Sequence, residues 1–216
     1  MLEAFTAGLF LITISELGDK TFFIAVILAM RYSRLVAFVS VISALALMTV
    51  ISVLCGQAIA LFPKIYIKYA EIALYLGFGL RLIYTGLQMR NQSSGVEVAE
   101  AEELVDRTVT KPQLNTPHGK FSSLWHSPVL KILIQGFSMT FVAEWGDRTQ
   151  IATIALAAAK NPWGVTLGAI CGHAICTLIA VFGGRLIAGR ISEKTITLLG
   201  GVLFLIFGGI AIAESL

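Results

Sequence analysis

Long apolar stretches separated by short polar ones dominate this chain. Each stretch reaches the roughly 20 residues that an α-helix needs to cross a bilayer, whereas membrane β-strands are shorter and alternate apolar with polar residues. The pattern therefore predicts an all-α integral membrane protein with six transmembrane helices. They are expected at about 4–30, 35–62, 70–89, 129–159, 163–188 and 196–213.

One long polar stretch, residues 91–127, interrupts this pattern between the third and fourth apolar segments. Its acidic residues are followed by Pro112, Pro117 and Gly119, and these acids are Glu97, Glu100, Glu102, Glu103 and Asp106. A segment of this composition is not expected to bury a core. It is predicted to be an acidic linker between two three-helix units, residues 1–90 and 128–216.

The two units repeat each other in sequence. Shifting the first by 128 positions superposes the segment 16–21 on 144–149, and it superposes Thr49 on Thr177. Because each unit holds an odd number of helices, the second must enter the membrane from the opposite side. The chain is therefore predicted to consist of two inverted-topology three-helix repeats, an architecture common among secondary transporters.

Composition and charge agree with a membrane protein. Hydrophobic residues make up 56% of the chain and charged residues only 13%, against about 25% charged in soluble domains. The net charge of +3 is small, and the basic residues form no stripe with aromatic ones, so no nucleic-acid partner is expected. Most basic residues fall on one side of the predicted topology. The positive-inside rule then places the linker in the cytoplasm and both termini outside it.

Two related acidic motifs lie well inside predicted spans. They read Glu16-Leu17-Gly18-Asp19-Lys20-Thr21 and Glu144-Trp145-Gly146-Asp147-Arg148-Thr149-Gln150. Charged groups at membrane depth cost about 3 kcal/mol by insertion scales and are functional candidates by default. Glu and Asp three positions apart share one helical face, and the intervening Gly allows close approach or local unwinding.

Antiparallel first and fourth helices would bring the two motifs together near the membrane midplane. The predicted site then holds the carboxylates of Glu16, Asp19, Glu144 and Asp147, with Thr21, Thr149 and Gln150 as supporting oxygen ligands. Such an all-oxygen set suits hard cations such as Ca²⁺, Mg²⁺ or Mn²⁺. Metal binding requires deprotonated carboxylates, so the same four groups would couple metal capture to proton release. The metal is expected as a transported substrate, and no cofactor is predicted.

Charged neighbours of this site are auxiliary candidates. Lys20 and Arg148 would partly neutralise the empty carboxylates or, if turned away, pair elsewhere. Arg81 interrupts the third span, where it could be a counter-ion for the acids or could extend towards the membrane surface.

Polar residues farther along the spans offer weaker candidates. His173 could relay protons or simply hydrogen-bond between helices. Thr49 and Thr177 could line the pathway or bond back to their own helices. Glu3 and Glu71 are expected at the membrane interface, in contact with solvent.

At the two motifs the sequence resembles the UPF0016 family, also called the Gdt1 family, whose hallmark is a duplicated Glu-x-Gly-Asp-(Lys/Arg)-(Thr/Ser). The resemblance extends over essentially the whole chain in span number, repeat arrangement and acidic central loop. It implies a secondary transporter that exchanges Mn²⁺ or Ca²⁺ for protons, with Mn²⁺ favoured on the resemblance alone. It also implies that the four motif carboxylates are the cation ligands and proton acceptors.

Three other interpretations of the motifs remain open. The charged groups could be structural salt bridges that join the repeats. They could form the selectivity ring of a passive divalent-cation channel. Asp19 and Asp147 could also be the dyad of an intramembrane aspartyl protease, although the added glutamates fit a cation site better.

Localisation and assembly follow only in part from the sequence. The chain shows no amino-terminal targeting segment, which favours a bacterial or cyanobacterial plasma or thylakoid membrane over an organelle that imports its proteins. The expected partners are a divalent cation, protons and the lipid bilayer. The oligomeric state is left open.

Overall fold

The computed structural model describes residues 1–89, 95–109, 128–187 and 193–215, and every regular element in these ranges is an α-helix. In chain order the helices are α1 (Leu2–Glu16), α2 (Lys20–Arg31), α3 (Arg34–Ile59), α4 (Lys64–Gln88), α5 (Gly95–Val109), α6 (Pro128–Ala143), α7 (Arg148–Ala159), α8 (Pro162–Ile187) and α9 (Glu193–Ala213).

Four of these helices are long and apolar enough to cross a membrane. They are α3, α4, α8 over Pro162–Gly183 and α9 over Lys194–Ala213, and a shorter apolar helix covers Val129–Ala143. The prediction of an all-helical membrane protein is confirmed. Two of the predicted spans are not single helices, because each acidic motif divides its segment: the first becomes α1 and α2, and the fourth becomes α6 and α7.

The two halves of the chain interleave. Helix α1 packs against α8, α4 packs against α9, and α3 contacts α6, α7 and α8. Glycine permits the first of these contacts, because a Cβ at Gly168 would lie 2.1 Å from the Phe5 carbonyl oxygen. Much of the tight packing therefore joins one half to the other.

Helix α2 is enclosed on all sides. Its residues 21–28 are all buried, because α3, α8 and α5 surround it. Helix α5 contributes Ala101 and Val105, both fully buried in the cluster of apolar side chains that includes α2. The composition of residues 91–127 did not predict this contact, since two apolar side chains among many acids give almost no hydrophobic signal.

Candidate cation site

Both acidic motifs break the helix at the same point by the same backbone geometry. Gly18 and Gly146 have φ angles of +81° and +83°, and no other residue among those described has a positive φ. This left-handed conformation costs an L-residue roughly 1–2 kcal/mol, and glycine avoids the cost. The duplicated glycine is therefore explained by the turn that ends α1 and α6.

The aspartate after each glycine begins the next helix. Asp19 is the N-cap residue of α2 and Asp147 that of α7. Asp147 caps its own helix, accepting hydrogen bonds from the Thr149 backbone N–H at 3.2 Å and from the Thr149 hydroxyl at 3.0 Å. Asp19 accepts no capping bond. Two helix N-termini, each with a partial positive charge, thus start at the predicted site.

The carboxylates of the two motifs meet. One oxygen from each of Glu16, Asp19 and Asp147 lies within 4.8 Å of the others. Oxygens on opposite sides of a bound Ca²⁺ or Mg²⁺ are about 4–5 Å apart, so this spacing suits a single cation. Glu144 is also buried and interacts electrostatically with Asp147 and Asp19. We call these four acids the cation-site cluster.

Glu16 is the most deeply enclosed member of this cluster, with only 2% of its surface exposed. Its Oε2 accepts a hydrogen bond from the Thr21 hydroxyl at 3.2 Å. Its Oε1 is buried and accepts no hydrogen bond from the part of the chain that is described. A buried, unpartnered carboxylate oxygen is costly unless a cation or a proton satisfies it.

The basic residues of the two motifs behave differently. Arg148 reaches across to the other motif, where its Nη2 lies 3.6 Å from Asp19 Oδ1. Lys20 instead forms an ion pair with Glu100 of α5. Structural salt bridges alone do not explain the cluster, because its acids outnumber the bases that pair with them among the described residues.

The predicted supporting oxygens have separate positions. The Thr21 hydroxyl lies against Glu16, and the Thr149 hydroxyl against Asp147. The Gln150 Oε1 accepts a hydrogen bond from the Gly146 backbone N–H at 2.7 Å. Gln150 thus stabilises the left-handed turn. The sequence analysis predicted Gln150 as a supporting ligand and did not predict this hydrogen bond.

A cavity of about 420 Å³ adjoins the cluster. Asp19, Asp147 and Arg148 line one end, and the lining continues along α4 through Arg81 to Met89. Arg81 therefore shares a polar cavity with two of the acids. A second cavity of about 250 Å³ is lined by Asp19, Lys20, Thr21 and residues 143–147.

His173 lies between the two motifs. It is buried, its Nδ1 has no hydrogen-bond partner among described residues, and it lines two cavities of about 10 Å³ each. Glu144 lines one of these cavities and Glu16 the other. Thr49 and Thr177 also line one each, although both hydroxyls donate to carbonyls of their own helices, at 2.9 and 2.8 Å.

The expectation that Glu71 is solvated is wrong. Its side chain is only 1% exposed, and the nearest ammonium, Lys68 Nζ, lies 3.6 Å from its Oε2. Glu71 belongs to a second group of charges near both chain termini, which we call the terminal cluster; its members are Glu3, Lys68, Glu71, Lys160 and Glu214. The sequence offered one indication of this pairing, because Glu71 lies about one turn after Lys68 on the same helix.

Comparison with known proteins agrees with this architecture. The family model described as "Divalent cation/proton antiporter GDT1" matches residues 4–90 and 132–216, and each matched segment carries one acidic motif. No solved structure matches the chain.

Individual relatives span cyanobacteria and plants. The chain is 54% identical to GDT1-like protein sll0615 of Synechocystis sp. over 96% of its own length and 95% of that protein. It is 43% identical to GDT1-like protein 2, chloroplastic, of Oryza sativa subsp. japonica, covering 95% of the chain and 59% of the relative. It is 41% identical to Protein PAM71-homolog, chloroplastic, of Arabidopsis thaliana, with 95% and 58% covered. The chain thus spans somewhat less than two thirds of these chloroplast proteins.

A helical membrane protein with two broken helices that meet at buried carboxylates has the features of a secondary ion transporter. The chain belongs to the GDT1 family of divalent cation/proton antiporters. This confirms the resemblance found at the two motifs. It also places the chain among transporters rather than among intramembrane proteases.

Proposed function

We propose that this protein exchanges a hard divalent cation for protons and exports the metal from the cytoplasm. The observation that carries the proposal is the buried Glu16 carboxylate, with one oxygen unpartnered among described residues, less than 4.8 Å from oxygens of Asp19 and Asp147. A cation would satisfy this oxygen in one state of the cycle and a proton in the other.

Competition between metal and protons for one site couples the transport of one to the transport of the other. Divalent cations bind deprotonated carboxylates, so metal entry displaces protons and proton entry displaces metal. Glu16, Asp19, Glu144 and Asp147 are both the metal ligands and the proton acceptors in this scheme. The N-termini of α2 and α7 oppose cation binding slightly, which favours release over permanent capture.

We further propose that α1 with α2, and α6 with α7, each form one broken span. Six spans then form two inverted three-helix repeats, residues 1–90 and 128–216, on either side of the linker 91–127. With both termini outside the cytoplasm, the 420 Å³ cavity extends from the cluster along the cytoplasmic half of α4. This arrangement corresponds to an inward-open state of an alternating-access cycle.

Manganese is our proposed substrate, with calcium as the other candidate. The proposal rests on the family resemblance, because both ions accept the same oxygen ligands and selectivity depends on cavity size and rigidity. The match to a cyanobacterial relative over nearly its whole length supports a cyanobacterial-type plasma or thylakoid membrane.

Purified protein in liposomes with an interior pH dye tests this function. Mn²⁺, Ca²⁺ or Mg²⁺ is added outside, and wild type is compared with Glu16→Gln and Asp147→Asn under a clamped membrane potential. Metal-dependent proton release from the lumen, lost in both variants, is the expected result, and the ion with the strongest response identifies the substrate. Metal entry without proton movement would instead identify a passive channel.

A further inference from the structure

We infer that the transported cation has a second, inner position, where the imidazole of His173 joins the carboxylates of Glu16 and Glu144, and that this nitrogen ligand favours Mn²⁺ over Ca²⁺. The inner position rests on the proposed function and names the feature of the site that selects the metal. His173 is a buried group that the coupling scheme does not use. It is 5% exposed, and its Nδ1 has no hydrogen-bond partner among the described residues.

Two small cavities place His173 beside both glutamates. Glu16 and Thr21 line one cavity, Glu144 and Thr149 line the other, and His173 lines both. Each cavity has a volume of about 10 Å³, close to the roughly 10–15 Å³ that one water molecule needs. Each cavity therefore has room for a bare cation or a single water molecule, but not for a hydrated ion.

The sequence repeat sets His173 apart from its counterpart. The shift of 128 positions that superposes the two motifs also superposes Leu45 on His173, and Leu45 lines the same two cavities. The two residues thus hold equivalent positions between the repeats, yet one is apolar and the other carries nitrogen atoms. Leucine fills its position without leaving a polar atom unpaired. A buried imidazole nitrogen without a partner is costly, which favours a ligand role over a packing role.

Glu16 connects the inner position to the outer one. Its carboxylate belongs to the group with Asp19 and Asp147 whose oxygens lie within 4.8 Å of one another, and it also lines a cavity with His173. His173 is not a member of that group in the described part of the chain. Because Asp19 and Asp147 line the 420 Å³ cavity, a cation entering from this cavity meets the three acids first and the imidazole afterwards.

The nitrogen ligand distinguishes the two candidate metals. Ca²⁺ takes oxygen ligands, whereas Mn²⁺ belongs to the series of transition-metal ions that also bind imidazole nitrogen. The carboxylates accept either ion. His173 therefore strengthens the binding of Mn²⁺ at the inner position without strengthening the binding of Ca²⁺.

Electron paramagnetic resonance of bound Mn²⁺ tests for the nitrogen ligand directly. Protein without a polyhistidine tag is purified in detergent and loaded with less than one Mn²⁺ per chain, at a high pH where protons compete least. Electron spin echo envelope modulation should show a nitrogen coupling that changes when histidine is labelled with ¹⁵N, a test that needs no substitution. The sequence has two other histidines, so a variant with His118→Gln and His126→Gln should keep the coupling. Bound Mn²⁺ without a histidine nitrogen coupling would overturn the inference.

Metal selectivity in liposomes provides the functional readout. His173→Leu, which copies the repeat-related Leu45, should raise the KM for Mn²⁺ about tenfold, the lower end of the loss caused by disturbing the groups around a bound metal. The KM for Ca²⁺, or its inhibition constant as a competitor of Mn²⁺, should stay nearly unchanged. Leu45→Met is the matched control, because it alters packing at the equivalent position and adds no nitrogen. It should leave the preference between the metals as in wild type.

The outcomes separate this inference from the proposed function. An equal rise in KM for both metals in His173→Leu would indicate a packing role and overturn the inference while leaving antiport intact. A wild-type preference for Ca²⁺ over Mn²⁺ would overturn it as well. Absence of metal-driven proton movement in wild type would instead reject the proposed function itself.

Discussion

The cation-site cluster and the terminal cluster both collect acidic side chains from the two halves of the chain, but they differ in how those acids are neutralised. In the terminal cluster, Lys160 Nζ contacts both oxygens of Glu214, at 2.8 and 3.0 Å, and also pairs with Glu3. Lys68 adds a contact to Glu214 at 3.1 Å. In the cation-site cluster, Arg148 at 3.6 Å from Asp19 forms the one ion pair found among described residues.

Within the proposed function, this difference separates structural charge from functional charge. Each of the three acids in the terminal cluster lies within 3.6 Å of a lysine ammonium, although Glu71 accepts no hydrogen bond from described residues. The terminal cluster can therefore join α1, α4, the α7–α8 connection and the end of α9 without any ligand. The cation-site cluster has a larger surplus of acids, because one ion pair serves its four carboxylates among the described residues, and in the proposed function a cation or a proton balances this surplus. Within that proposal, the larger surplus, rather than the number of acids, distinguishes the transport site.

The largest effect should follow from removing one acid of the surplus. Glu144→Gln keeps the shape of the side chain but removes a ligand charge, so we expect it to abolish metal-driven proton release in liposomes. Glu214→Gln, the same change in the terminal cluster, should retain most of the transport rate. Comparable loss in both variants would show that the two clusters are not functionally distinct.

A smaller effect should follow from changing the turn that brings the acids together. Gly146→Ala adds a methyl group with no atom within 4 Å, so its effect comes only from φ. We expect it to destabilise the protein by about 1–2 kcal/mol and to reduce transport, measured by thermal melting in detergent and by liposome flux. Gly77→Ala, equally uncrowded but inside helix α4, should be neutral or slightly stabilising.

Removing a lysine that is paired with acids should have a modest effect on the stability of the fold. Lys160→Met removes the ammonium shared by Glu3 and Glu214, but both acids are partly exposed. Water can solvate both carboxylates once the lysine is removed, so we expect the free energy of unfolding to fall by about 1 kcal/mol or less. Thermal melting measures it, and liposome transport should continue. Complete loss of transport would mean that the terminal cluster contributes to the site directly.

The smallest effect on stability should come from lowering the pH from 7 to about 5. Hydrogen bonds from Lys160 and Lys68 lower the pKa of Glu214, which lies beyond the end of α9, to about 2. Because this folded-state pKa is depressed, the stabilisation by the ion pair is fully present above the ordinary Glu pKa of 4.5 and is lost progressively as pH falls from that value through about 2. Wild type and Glu214→Gln should therefore differ in melting temperature by the same amount at pH 7 and pH 5.

The sequence predicted the apolar helical segments and that the acids of the two motifs meet, because both leave strong local signals. Spans of about 20 apolar residues are readable by length, and duplicated acids inside them are conspicuous. The breaks at Gly18 and Gly146 were only partly predictable, since glycine allows unwinding without requiring it. Glu71 and the docking of α5 were missed, because each depends on contacts between residues far apart in the chain.

The interleaving of the halves has a consequence for biosynthesis. Helix α1 packs most closely on α8, whose glycines allow its backbone to approach, yet α8 begins only at Pro162. The ribosome therefore completes α1 long before its partner exists. The face of α1 that contacts these glycines cannot be covered by α8 until the carboxy-terminal half has been made, so this contact forms late in assembly.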